Sequence, residues 1–200
     1  MISPESTLEE ILDHVWGMLL RGGADGKHPY HFPSFATFHH QNGVEQRTVV
    51  LRKANRELRQ LICYSDSRTQ KVAAIQASRE AHWLFYDHSS KEQIRAKVLT
   101  EIHQQDEKSG ERWETIPPKS RGDYLGPNPP GTSTDQYTDN LPEDFKEQPT
   151  RENTEVGYGN FALIVSTVYQ LDFLKLSREG HLRAQFSWSE NSWEGSWVAP

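Results

Sequence analysis

Cysteine is nearly missing from this chain of 200 residues: Cys63 stands alone, so no disulfide can form within it and a bridge-stapled scaffold is excluded. Inside the apolar run LIC that thiol reads as a buried hydrophobic group, and a reducing, cytoplasmic setting suits it. Long hydrophobic runs are missing too. None approaches the ~20 residues that a membrane helix needs, and the acidic start MISPESTLEE lacks the basic-then-apolar order of a signal peptide. There is no surplus of positive charge: the net charge is −6, so nucleic acid and anionic membranes are not expected partners, and any anion site has to be a local cluster of cations. No P-loop, GxGxxG or Ser-His-Asp order occurs. His28, His31, His39 and His40 lack compact ligand spacing and an acidic or cysteine partner, so no metal site is expected. What is present is aromatic: six tryptophans in a chain otherwise lean in hydrophobic residues suit a folded, β-rich domain with large anchors.

The length fits a single domain over residues 1–200. Residues 1–25 hold an amphipathic helix, with an N-cap candidate in STLEE, apolar residues at Leu8, Ile11, Leu12, Val15, Met18 and Leu19, and Gly22-Gly23 as the expected stop. FATFHH, a turn at QNG and the run RTVVLRKA read as a β-hairpin, because Asn-Gly between β-prone runs favours a tight turn. RQLICYS supplies a further strand. TQKVAAIQAS reads as a short helix with Val72, Ala73 and Ile75 inward, and AHWLFYD and EQIRAKVLTEIH as strands, the second alternating through Ile94, Ala96, Val98 and Glu101. That gives five strands around one short helix. Gln104 to Arg121 is polar and weakly helical, with Pro117-Pro118 as a break or a new start. Residues 122–157 form a loop-rich, proline-rich excursion whose middle is expected to be mobile. FALIVSTVYQLDFLKLS, HLRAQFSWSE and SWEGSWVAP then make a three-stranded meander. Strands outnumber helices, so the expected class is mainly β: a closed or nearly closed antiparallel barrel with flanking helices.

One junction stands out chemically. YSDSRTQK ends a strand and opens a helix, so free helix N–H groups, the hydroxyls of Ser65, Ser67 and Thr69 and the cations Arg68 and Lys71 gather where a phosphate can sit. In RTVVLR the alternation puts Arg47, Val49 and Leu51 on one face and Thr48, Val50 and Arg52 on the other, with a cation at each end. Each motif alone is compatible with solvated strand or helix ends. Trp188, Trp193 and Trp197 read as packing on the barrel surface or in a dimer.

Together RTVVLR and YSDSRTQK, from about Phe35 onward, resemble the pyridoxamine 5′-phosphate oxidase-like flavoproteins, which are FMN-binding split β-barrels. In that family an Arg-x-Val-Leu-Leu-Lys strand lines the flavin and a Tyr-Thr-…-Ser-Arg-Lys turn grips the phosphate. The resemblance implies FMN as cofactor, with Arg47 and Lys71 on its phosphate beside Thr69, the backbone of Thr48, Val49, Val50 and Leu51 along the ring, and Tyr64 and Ser65 along the cofactor. Gln70 stands where the family commonly has arginine, and Arg68 is a candidate to supply that charge. Gln93 in KEQIRAKV matches a glutamine that meets the flavin's pyrimidine edge. HLRAQFSW resembles an Arg-Leu-His-x-Arg-Phe strand with its residue types rearranged: His181 and Arg183 fall where arginine and histidine would sit, and Gln185 replaces the second arginine.

The resemblance further implies a homodimer with FMN at the interface, and hydride transfer between a small substrate and flavin N5, with Arg52 and Arg183 as candidates for substrate contact. Where the oxidases hold the substrate phosphate with Tyr, Arg and Ser, this chain has Trp113, Pro117 and Arg121, so pyridoxamine phosphate turnover does not carry over. GPNPPG, Gly126 to Gly131, resembles an uncharacterised branch of the family assigned as oxidases by similarity. Other readings stay open: a non-catalytic flavin-binding, storage or sensor protein, or a split barrel using heme or a deazaflavin.

Overall fold

The computed structural model describes residues 2–41, 43–142, 145 and 148–200. Its strands are β1 (Ser34–His39), β2 (Gly43–Thr48), β3 (Lys53–Asn55), β4 (Gln60–Asp66), β5 (Glu80–Asp87), β6 (Glu92–His103), β7 (Phe161–Lys175), β8 (Leu182–Ser189) and β9 (Ser192–Trp197). All pair antiparallel, along the path β2-β1-β5-β6-β7-β4-β3, with β8 and β9 branching from β7. The two ends of that path, β2 and β3, are consecutive in sequence. The chain between them therefore bridges the open sides of the sheet, and the expected mainly-β barrel with flanking helices is what forms.

That bridge corrects the expected single strand RTVVLRKA. β2 starts earlier, at Gly43, and ends at Thr48; its Asn42 turn residue lies outside the described residues. Val49 then donates to the Pro33 carbonyl (3.0 Å) and Leu51 to that of His31 (2.9 Å), while Arg52 turns to Ile62 on β4 (2.8 Å). An extended segment thus changes partners in mid-course, and six strands stand where five were expected before the loop-rich region. The predicted alternation survives the switch: Val49 and Leu51 are buried, Thr48 and Arg52 exposed.

β7 is the longest strand and the spine of the sheet. Its first half lies between β4 and β6 and its second half between β6 and β8, with a register shift at Lys97/Val98 marking the change. A bulge bends a strand enough for such a handover. On β6 the inward row is Ile94, Ala96, Val98 and Thr100; Glu101, expected to continue it, faces solvent because a period of two leads to Thr100.

Helix α1 (Leu8–Ala24) opens with a capping box between Thr7 and Glu10 and buries Ile11, Val15, Trp16, Met18 and Leu19 in the main core. Gly22 and Gly23 do not stop it. A Cβ on Gly22 would meet Tyr30 at 2.8 Å, and one on Gly23 would meet the Ala54 backbone at 3.0 Å, so the glycines let the helix end lie close against its neighbours. Helix α2 (Gln70–Ala77) buries Val72, Ala74 and Ile75. Ala73, expected inward, points out, since at 100° per residue it lies opposite Ile75.

Helix α3 (Glu107–Thr115), capped by Asp106, and the 3-10 turn Pro118–Tyr124 lie against the outer side of β4 and β7. They close a second apolar cluster of Ile62, Trp113, Ile116, Tyr124, Phe161, Leu163 and Val165. The loop-rich excursion is bracketed by Asn140, whose side chain accepts from the Asn128 N–H (3.1 Å) and donates to the Asn128 carbonyl (2.8 Å). A short helix, α4 (Arg151–Thr154), leads by another 3-10 turn into β7.

Candidate functional site

Three groups of the sequence-nominated residues are brought together, in three places. The first is a corner where β4 hands over to α2. Lys71 donates from Nζ to the Ser65 hydroxyl at 2.9 Å, and the Ser65 and Thr69 hydroxyls lie 3.0 Å apart. Thr69 stands at the N-cap, yet its hydroxyl donates to the Asp66 carbonyl (2.9 Å) and makes no cap to the helix. The first amides of α2 are thereby left open toward the corner. Arg47 reaches the same region from β2, donating to Thr37 Oγ1 (2.8 Å) and Glu45 Oε2 (3.0 Å).

Both cations are half-buried, and burial holds both pKa values below their usual range; the Arg47 charge adds to the depression at Lys71. Glu45 answers Arg47, and the Lys71 ammonium together with the uncapped helix N-terminus leaves the corner short of negative charge, which a phosphate dianion would relieve. The donor set therefore fits a phosphate monoester. Arg68 is placed differently from Lys71. Its guanidinium forms a fork on Asp66 (Nε–Oδ1 3.0 Å, Nη2–Oδ2 2.6 Å) and donates to the Gly126 carbonyl (2.9 Å), tying the excursion to the turn. Gln70 is exposed at the first helical position. Cys63, just before the corner, is fully buried, and its thiol is pushed up to about 12.

The second group lies on the outer face of β4. Tyr64 and Ser65 are successive strand residues and point to opposite sides, so Ser65 joins the corner while Tyr64 meets Arg52, whose guanidinium lies 5.3 Å from the ring centre.

The third group is on the outer face of β6, β7 and β8. Gln93 pairs with Leu174, which pairs with Arg183, and one residue row away Asp172 accepts from Arg95 (2.9 Å), Arg183 (2.9 Å) and Gln185 (2.6 Å). Burial disfavours a charge on Asp172, but these three donors outweigh it and hold its pKa below the usual value. His181 accepts from the Ser177 N–H in the preceding turn. Arg47 is in register with Phe35, Trp83 and Ala96, whose side chains face inward, whereas Gln93 is three residues further along β6 and faces outward. Within one chain Gln93 and Arg183 do not converge with Arg47 and Lys71.

Trp113 and Arg121 are both buried. The Trp113 Nε1 donates to Glu155 (3.1 Å), and Arg121 donates to Glu155 (3.0 Å) and to the carbonyls of Trp113 (2.9 Å) and Ile116 (3.2 Å). Trp193 packs against Trp16 and Trp188. Among the described residues no group of His, Cys, Asp or Glu is arranged to hold a metal, and no helix is long and apolar enough to cross a membrane.

Residues 13–104 match the family described as pyridoxamine 5′-phosphate oxidase, FMN-binding domain. The likeness to that family spans just under half of the chain. That stretch contains both the β2 bridge and the corner. Among solved structures, the chain superposes over its full length on a pyridoxamine 5′-phosphate oxidase-related, FMN-binding protein of Nostoc punctiforme, covering all of it at 19% identity with a TM-score of 0.74. It also superposes over its full length on 98% of PhzG of Burkholderia lata, solved with tetrahydrophenazine-1-carboxylic acid, at 14% identity and a TM-score of 0.69. At these identities the likeness is one of fold, the split barrel. No curated protein matches the chain.

Sequence reasoning missed Asp66 and Asp172, acceptors that commit neighbouring arginines, and nothing in a linear pattern marks which carboxylate will face which cation.

Proposed function

We propose that this protein is an FMN-dependent oxidoreductase acting as a homodimer on a small substrate. The observation that carries the reading is the corner in which Lys71, Ser65, Thr69, the open amides of α2 and Arg47 present donors of one sign to one place. Arg47 and Lys71 are assigned to the FMN phosphate, with Ser65 and Thr69 as hydroxyl partners. Arg68 acts as scaffolding, because Asp66 and Gly126 already take its donors. Since the N–H groups of Val49 and Leu51 go to Pro33 and His31, that of Val50 points to the other edge of the segment, along which a flat ring can lie.

Bound flavin would supply the two-electron redox chemistry, and the side chains would supply binding, orientation and electrostatics. Arg47 and Lys71 fix one end of the cofactor, and the Thr48–Leu51 backbone fixes the plane. The homodimer is supported by the direction of Gln93 and Arg183. Both face away from their own corner, so a second copy is the means by which they reach a cofactor. Pyridoxamine 5′-phosphate is not the substrate assigned, since Trp113 and Arg121 have their donors taken inside the fold and Pro117 has none.

The test is the visible spectrum of the purified protein, followed by FMN titration if it is colourless. A flavin spectrum or saturable uptake supports the reading. A Soret-type band, or no uptake, removes it.

A further inference from the structure

The turn through Asp66, Ser67 and Arg68, which hands β4 over to α2, serves two places at once. On one side it carries the phosphate corner. The Asp66 carbonyl accepts from the Ser65 hydroxyl (3.1 Å) and from the Thr69 hydroxyl (2.9 Å), so the two hydroxyls placed beside the FMN phosphate hang on one peptide group. On the other side the turn holds both ends of the proline-rich excursion. Arg68 donates to the Gly126 carbonyl (2.9 Å); the Ser67 N–H donates to the Asn160 carbonyl (2.7 Å), and the Asn160 side chain in turn donates to the Tyr124 carbonyl (2.8 Å). The direction of Arg68 is fixed, because the buried Asp66 carboxylate takes its backbone N–H (2.8 Å), its Nε (3.0 Å) and its Nη2 (2.6 Å). Such a charge-assisted fork is stronger than neutral hydrogen bonds.

From Gly126 to Asn140 the chain leaves the body of the protein and returns to the same point. Asn140 closes the neck of this loop: its amide bonds both the N–H and the carbonyl of Asn128, and it lies so close to Gly126 that a Cβ there would run into it. Beyond the neck, Pro129 to Asp139 is exposed throughout, with Tyr137 at 94%. A loop with pinned ends and a bare tip buries little apolar surface of its own, so its attachment depends on a few polar contacts at the neck. Arg68 is the side chain that joins that neck to the turn.

We propose that Arg68 is a positioning residue that couples the phosphate corner to the Gly126–Asn140 loop: an occupied corner holds the loop more firmly, and a loop cut loose at its neck weakens the corner's grip on phosphate. The coupling is reciprocal and of one size in both directions. Its source is shared ordering. The turn has to be fixed for Ser65 and Thr69 to meet a phosphate, and fixed again in the same form for Arg68 to meet Gly126, so the second contact to form finds that ordering already done. Arg68 thus acts on the phosphate through the turn rather than by supplying the charge that Gln70 lacks. The proposal rests on the flavin reading in one respect, that the phosphate is the FMN phosphate; the coupling itself asks only for a phosphate in the corner.

The experiment takes the full-length protein with FMN, and separately with inorganic phosphate, and reads two quantities: the dissociation constant, and the rate at which chymotrypsin nicks the chain after Tyr137, followed by mass. Wild type is compared with Arg68→Gln and Asn140→Gly. N140G removes the neck bonds but keeps the backbone, since Asn140 holds a φ of 56°, a region that glycine enters freely. Among the described residues, none of the Asn140 side-chain bonds goes to Ser65, Thr69, Lys71 or Arg47. Saturating FMN is expected to slow nicking of the wild type about fivefold or more, and both variants to lose most of that protection and to bind FMN about fivefold or more weakly. The weaker binding by N140G is the result that a merely structural Arg68 would not produce. Unchanged FMN affinity in N140G, or nicking at Tyr137 indifferent to FMN in a wild type that binds it, would overturn the proposal and leave the cofactor reading standing. A wild type that takes up no FMN but is protected by inorganic phosphate would keep the coupling and sink the cofactor reading; one that takes up no FMN and gains no protection from phosphate would overturn both.

Discussion

The corner at α2 and the patch around Asp172 both gather cations on a β-sheet, and they differ in what answers those cations. In the patch, Arg95, Arg183 and Gln185 converge on one carboxylate, so both cations have an acidic acceptor within the fold. In the corner, Lys71 finds only a hydroxyl, Arg47 pairs with the part-exposed Glu45, and the helix amides are uncapped. Counting cations in the sequence ranks the two regions alike. Counting acceptors in the structure separates them: the patch reads as structure first, the corner as a place for an external anion.

Substitutions can break that comparison. The largest effect is expected on ligand binding at the corner: Lys71→Ala and Arg47→Ala should each weaken FMN by about 1.5–3 kcal/mol, the range for hydrogen bonds to charged groups. K71A should change the stability of the cofactor-free protein little, within ~0.5 kcal/mol, because no carboxylate loses its partner. The converse holds in the patch. Asp172→Asn should lower unfolding stability in urea by about 1–3 kcal/mol, since three donors lose a buried, charged acceptor. A K71A protein that loses stability like D172N would erase the distinction.

The two regions should also answer pH in separate windows, with stability rising with pH in each. Asp172 has a depressed folded pKa, so its contribution is present above the unfolded value near 3.8 and is lost as pH falls through the lower folded value. Lys71 also has a depressed folded pKa, and like Asp172 it binds fewer protons folded than unfolded, but near its own, alkaline pKa. Stability of the cofactor-free protein should therefore rise as pH climbs from the lowered folded value toward 10.5. Chemical denaturation across pH checks both: D172N should flatten the acid limb and K71A the alkaline one.

The smallest effect concerns the homodimer. Gln93→Ala should weaken FMN by only about 0.5–1.5 kcal/mol, as for a neutral hydrogen bond. If Gln93 serves the partner's corner, mixed dimers of Q93A and K71A subunits should regain one intact site in two, read as half-stoichiometric tight FMN binding. Mixed dimers with no tight site would place Gln93 in its own chain's site or outside any.

Much of this was legible in the sequence because it is local. The N-terminal amphipathic helix with its cap in STLEE, the β1–β2 hairpin, the meander β7–β9 and the strand-to-helix junction at YSDSRTQK all follow from turn residues and periodicity within a few positions. What was not legible depends on distant partners. The bridge Val49–Arg52 leaves its ladder because Pro33, His31 and Ile62 are where its N–H groups can bond. Gly22 looked like a helix stop because the close approach of Tyr30 is invisible in one dimension. Arg68 and Lys71 looked equivalent until Asp66 claimed one of them, and Arg183 looked free until Asp172 appeared across the ladder.

The most direct test of the central claim is an FMN titration of the wild-type protein and of K71A, followed by quenching of flavin fluorescence. The account predicts saturable wild-type binding and a dissociation constant roughly 10- to 150-fold higher in K71A, the equivalent of losing a charged hydrogen bond. Equal affinities, or no uptake by the wild-type protein, would contradict it and leave the corner at Ser65, Thr69 and Lys71 as no more than a helix end.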